Sequence, residues 1–179
     1  IWCSDPSKVI RDAPTVGLPG DYFYSPMQLV GEWDDYTETI CSVDPSGRGT
    51  DETAAAFLSQ RNGFIYLHEM SAYRDGYSDS TLLDILRRCR KYGVTSLVIE
   101  TNFGDGIVGE LFKKHLINTK QHINIEEVRA NVRKEDRIID SLEPVLNQHR
   151  LIIDRGVIDW DYASNKDSPA EERLLYMLF

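Results

Sequence analysis

Two carboxylates stand out by where they fall. Asp44 closes the apolar run Thr39-Ile40-Cys41-Ser42-Val43, and Glu100 closes Val94-Thr95-Ser96-Leu97-Val98-Ile99. Acids placed at strand ends converge at a sheet rim, where hard oxygen donors hold Mg²⁺ or Mn²⁺ and water fills the remaining positions. Two such ions about 3.5–4 Å apart can activate an attacking water and stabilise the leaving oxygen of a phosphodiester. A plainer reading has Asp44-Pro45 starting a turn and Glu100 capping the next element, both solvated. The residue pattern leaves the two open.

The connection Asp44-Pro45-Ser46-Gly47-Arg48-Gly49-Thr50-Asp51-Glu52-Thr53 lacks the Gly-Lys-Ser/Thr ending of a P-loop, so it encodes no nucleotide motor. Its glycines let the backbone approach a phosphate, with Arg48 in contact and Asp51 turning back toward the metal. The same composition also suits a plain flexible connection. Basic residues form two groups. Arg87, Arg88, Arg90 and Lys91 crowd one helix end, where positive charge suits the helix dipole. Arg129, Arg133 and Arg137 recur every four residues if their helix starts early, with Lys134 beside them. Such a stripe either lies along a phosphate backbone or pairs with Glu126, Glu127, Glu135 and Asp136 as a solvated face. His68, His115, His122 and His149 show no zinc-ligand spacing with cysteine.

The elements that would position these groups begin near residue 38. Residues 1–37 carry four prolines, three glycines and no sustained period, so they read as a lead-in loop or linker. Asn62-Gly63, between two apolar runs, marks a hairpin joining Glu52–Ser59 to Phe64–Met70. Leu82, Leu83, Ile85, Leu86 and Cys89 recur at helical spacing behind a Ser78 or Asp79 cap and end at Gly93. The run ending at Glu100 suits a parallel strand buried on both faces. A second helix over about 106–117, a strand over 122–128, a third helix over 134–148 bent at Pro144 and a short strand at 151–153 follow. Residues 154–167 read as loop, and Pro169 fits the first turn of a last apolar helix. An antiparallel meander followed by crossovers gives an α/β mixed sheet with helices on both faces.

Composition bounds the function. The chain has 179 residues, enough for one domain, and 41% are hydrophobic. No apolar run nears the roughly 20 residues of a membrane span. Cys3, Cys41 and Cys89 are odd in number and form no CxxC pair, which favours reduced thiols. With 20 Lys and Arg against 29 Asp and Glu, the net charge of −9 argues against binding nucleic acid by bulk electrostatics. Residues 1–60 hold 3 basic and 10 acidic side chains, residues 61–120 hold 9 and 7, and the remainder 8 and 12. Carboxylates that hold divalent metal can nonetheless act on phosphates.

The element order is similar to the ribonuclease H-like fold, in which Asp44 and Glu100 become neighbours. Ser42 to Glu52 together with Val98 to Gly106 resembles the nuclease domain of the large terminase subunit of short-tailed bacteriophages. The lead-in Gly17-Leu18-Pro19-Gly20-Asp21 and the helix start Lys134-Glu135-Asp136-Arg137-Ile138 resemble that family too. The resemblance implies a metal-dependent endonuclease that cuts concatemeric double-stranded viral DNA during packaging. It implies Mg²⁺ or Mn²⁺, two ions, with Asp44 and Glu100 as catalytic ligands and Asp51 as a supporting acid. Arg48, Arg129, Arg133 and Lys134 would meet phosphate.

Its implied partners are the terminase ATPase domain, the small terminase subunit and the portal, at the assembling procapsid in the host cytoplasm and with no membrane. The expected domain spans 38–179 and is cut at its C-terminal end, with a third metal-binding aspartate beyond Phe179. The rival readings are another ribonuclease H-like nuclease (a junction resolvase or transposase core) and a non-catalytic docking domain for protein partners.

Overall fold

In a computed structural model, the protein is described at residues 5–13, 22–26, 31–32, 34–46, 52–101, 106–129, 134–164, 167 and 169. Strand β1 (Glu38–Asp44), β2 (Thr53–Arg61) and β3 (Phe64–Tyr73) form an antiparallel meander. The β2–β3 turn has Asn62 and Gly63 both at positive φ, 51° and 79°, as a two-residue hairpin requires for its twist to match the strands.

Helix α1 (Asp79–Tyr92) crosses to β4 (Ser96–Glu100), and α2 (Ile107–Thr119) crosses to β5 (Asn124–Val128). Helix α3 (Lys134–Asn147), with Pro144 inside it, precedes β6 (Leu151–Ile153) and α4 (Arg155–Ser164). The six strands lie in the order β5-β4-β1-β2-β3-β6. Pairs β1/β4, β4/β5 and β3/β6 are parallel. This is a mixed sheet of the ribonuclease H-like kind, with the first strand in its middle.

One face of the sheet makes the core. Cys41, Val43, Ala55, Phe57, Leu97 and Ile99 alternate inward along their strands and meet Leu82, Ile85 and Leu86 of α1 and Phe112 of α2. Burying each large apolar side chain contributes about 1.5–3 kcal/mol. Helix α1 is bounded as its sequence predicts. Ser78 Oγ accepts from Thr81 N at 3.3 Å, and Gly93, at φ 66°, closes the last turn with its N–H directed to the Arg90 and Cys89 carbonyls. Its basic end forms ion pairs: Arg87 and Arg88 bind Asp84, and Arg88 and Lys91 bind Glu69 of β3.

Two expectations change. The segment read as loop over 154–167 contains α4. Asp154 Oδ1 accepts from Gly156 N at 2.7 Å to start it, and Arg155 Nε bonds Asp159 Oδ1 at 2.9 Å along it. Its buried face is Val157, Ile158 and Asp161. A carboxylate on that face and a glycine in the first turn hide the helical period from sequence. Second, Arg129 directly follows β5 and is not helical, so it is not the first member of a helical stripe with Arg133 and Arg137. Residues 130–133 lie outside the described residues. The last apolar segment, 170–179, lies outside the described residues.

Part of the lead-in has structure. Val9 and Tyr24 form an antiparallel bridge, and Arg155 reaches the Asp12 carbonyl at 3.0 Å, tying this stretch to α4.

Candidate active site

The parallel register of β1 and β4 sets the geometry. Val43 pairs with Ile99, so Asp44 and Glu100 are the next residues on adjacent strands, whose spacing is about 4.8 Å. Side chains alternate along a strand, and Val43 and Ile99 are buried toward α1 and α2. Asp44 and Glu100 therefore project from the opposite face, at the carboxyl-end rim of the sheet. Asp44 is exposed and Glu100 half-buried.

Each strand end is pinned just past its acid. After Asp44-Pro45, Ser46 N donates to Thr53 Oγ1 at 3.0 Å, and Thr53 is itself buried at the start of β2. After Glu100, Thr101 N donates to the Val128 carbonyl at 2.9 Å, and Val128 is the β5 partner of Glu100. Ser46 and Thr101 are therefore each held at a set place just past a carboxylate. Ser46, Thr53 and Thr101 carry no signal of this in the sequence, because their roles exist only across strands.

Of the other candidates, Arg129 is exposed one residue after Val128, at the same rim and two strands from Asp44. Lys134 begins α3. Arg48, Asp51 and Arg133 lie outside the described residues. Among the late acids, Asp154 caps α4, Asp159 pairs with Arg155, and Asp161 is buried in α4. Among the described residues, no group of three or more His, Cys, Asp or Glu side chains is arranged to hold a metal ion. The two rim carboxylates offer hard, anionic oxygen donors, which suit Mg²⁺ or Mn²⁺ with water in the remaining positions. Among the described residues soft-ligand chemistry does not fit, because the cysteines Cys41 and Cys89 are both buried in the core. Among the described residues, no helix is long and apolar enough to cross a membrane.

Known proteins match this sequence and fold. Residues 43–151 match the family described as Terminase Bacteriophage T7, Ribonuclease H-like domain. Over 179 residues, the chain is 41% identical to the large terminase subunit of Enterobacteria phage T3, covering 99% of this chain and 30% of that protein. The chain thus spans under a third of the length of that relative.

Two solved structures share the fold. The human cytomegalovirus terminase nuclease domain, Mn-soaked and inhibitor-bound, superposes with a TM-score of 0.52 at 9% identity, covering 80% of this chain and 81% of the other. A variant nuclease domain from the large terminase subunit of bacterial virus Sf6, with manganese and beta-thujaplicinol, gives 0.54 at 11% identity, over 73% and 71%. Both acids of the rim, Asp44 and Glu100, fall inside the matched segment, and on its extent and the 41% identity the chain belongs to the family of bacteriophage T7-type terminase ribonuclease H-like domains.

Proposed function

We propose that this domain is a divalent-metal-dependent endonuclease, which cuts concatemeric double-stranded viral DNA for a phage packaging terminase. The observation that carries the reading is the side-by-side placement of Asp44 and Glu100 at one rim, each with its outgoing chain pinned. Asp44 and Glu100 would hold the metal, with Asp51 as a supporting acid. The resemblance adds a third metal-binding aspartate beyond Phe179. When bound, two Mg²⁺ or Mn²⁺ ions supply an activated water and a clamp on the leaving oxygen.

The chain's own residues do the rest. The paired strand ends hold both carboxylates on one face, and because bound metal would activate the attacking water, no histidine base is needed beside them. Arg129, at that rim, together with Arg48, Arg133 and Lys134, would meet the phosphates next to the scissile bond and orient the duplex over the acids. The acidic sheet rim carries little attraction for DNA by itself, so metal and arginine together offset the charge of −9. Family membership supports partnership with a terminase ATPase domain, a small terminase subunit and a portal, at the assembling procapsid in the host cytoplasm.

The test is plasmid nicking by the chain with Mg²⁺ or Mn²⁺, alongside Asp44→Asn and Glu100→Gln. Metal-dependent nicking that both substitutions abolish supports the reading. Nicking that persists in both would overturn it.

A further inference from the structure

We infer that Arg74 is a further contact to the DNA backbone, held by Glu52 on the sheet face that carries Asp44 and Glu100. This rests on the nuclease reading above and extends the duplex track past β2 to β3.

Strand pairing sets the position. Thr53 and Tyr73 form the last rung of β2 and β3 at this rim. Both turn to the helical face: Thr53 is buried, and Tyr73 Oη donates to Asp84 Oδ2 of α1 at 2.8 Å. One residue past that rung, alternation turns Glu52 and Arg74 to the opposite face. Their side chains meet there, with Arg74 Nε donating to Glu52 Oε1 at 2.9 Å. Asp44 lies on the same face and pairs with Ala54, which pairs in turn with Ala72. Arg74 thus stands about 12 Å from Asp44, two strand spacings across and two residues along. On the other side, Arg129 follows β5, again two strands from Asp44. A cation therefore flanks the acid pair on each side.

The guanidinium itself is placed to receive an anion. The Arg74 side chain is 91% exposed, and among the described residues its Nε makes its one protein contact. Both Nη amines keep the fork geometry that meets two phosphate oxygens. Arg61 and Arg155 are committed differently. Arg61 gives two nitrogens to Asp34 and the Asp35 carbonyl, and Arg155 divides its own between Asp159 and Asp12. A water-exposed ion pair such as Glu52–Arg74 adds little stability, so its effect is to restrict where the arginine points. Along the rung from Asp44 to β3, only the methyl groups of Ala54 and Ala72 rise, and Ala72 is exposed. A distance of about 12 Å is three to four base-pair steps. A duplex with its scissile phosphate over Asp44 and Glu100 then presents another phosphate to Arg74.

The test is duplex binding by the 179-residue chain, read by fluorescence anisotropy across a salt series with Ca²⁺ in place of Mg²⁺. Arg74→Ala should reduce the steepness of log K against log salt by about 0.9, which is about eightfold in affinity over a tenfold salt range. Arg74→Lys should keep the steepness, because the charge remains. Glu52→Gln should keep it as well, because the arginine does. Arg87 is the control: it is exposed, belongs to α1 and pairs with Asp84, so Arg87→Ala should leave the steepness unchanged.

A steepness in Arg74→Ala equal to that of the parent, or a loss no larger than in Arg87→Ala, would overturn the proposal. Failure of the parent chain to bind duplex would overturn it too. The nuclease reading is judged separately, by nicking in Asp44→Asn. If that variant nicks like the parent, the nuclease reading fails, and the salt series still decides whether Arg74 touches phosphate.

Discussion

His68 Nε2 lies 2.8 Å from Ser59 Oγ, and Ser59 Oγ lies 2.7 Å from Thr39 Oγ1, so three strands share one polar chain. A bulge makes this reach. Phe57 pairs with Glu69 but Leu58 with Leu67, leaving His68 as the extra residue of β3. Its ring stacks on Tyr92 at 5.4 Å and meets Tyr36 edge-on.

Burial lowers the His68 pKa from its ordinary value, and the charge of Asp154 opposes that only in part. The folded chain therefore binds this proton less readily than the unfolded chain, whose histidine titrates near 6.5. The stability His68 contributes is fully present above about pH 6.5 and is lost as pH falls through the folded pKa below it. Urea unfolding between pH 7.5 and 5 should show declining stability, and His68→Asn should flatten that decline. An equal slope in both proteins would assign the acid sensitivity to other groups.

Asp44→Asn and Glu100→Gln should each reduce nicking by on the order of 100-fold or more, the scale of losing a preorganised electrostatic group. Circular dichroism and melting should change little, since Asp44 is exposed and Glu100 half-buried. A collapse of the fold in either variant would show that the carboxylate works as structure.

Replacing Arg129 and Arg133 together by alanine should weaken duplex binding and flatten its salt dependence. Each lost phosphate contact removes a slope of about 0.9 in log K against log salt. An unchanged slope would make both arginines surface ion-pair partners.

Leu86→Ala removes a fully buried side chain between α1 and the sheet. A loss of about 2–5 kcal/mol in unfolding free energy is expected, measured by denaturant titration. A loss below about 1 kcal/mol would mean that the core closes over the gap.

If the proposed third metal-binding aspartate lies past Phe179, a chain extended there should bind Mn²⁺ more tightly and nick faster than residues 1–179. With Asp44 and Glu100 alone, a second ion would lack a protein ligand, although Mg²⁺ tolerates this by keeping water. Equal stoichiometry and rate in the two lengths would place the complete ligand set within 1–179.

Much of this architecture is local and therefore legible. Asn62-Gly63 dictates its hairpin, because two consecutive positive φ values suit few other residue pairs. Ser78 and Gly93 bound α1, and the apolar spacing between them defines its buried face. Asp44 and Glu100 are conspicuous as acids that end apolar runs, and the resemblance to the ribonuclease H-like fold implies that their strands are neighbours.

What the chain order leaves undecided is everything that depends on register and on which face a strand turns. A shift of one residue between β1 and β4 would send the side chains of Asp44 and Glu100 to opposite faces; the pairing of Val43 with Ile99 prevents this. The bulge at His68 and the Ser46–Thr53 pin join residues from separate elements, so no linear period announces them. Helix α4 was hidden for a related reason: Asp161 is an acid on its buried face, where only tertiary packing shows that the face is buried at all.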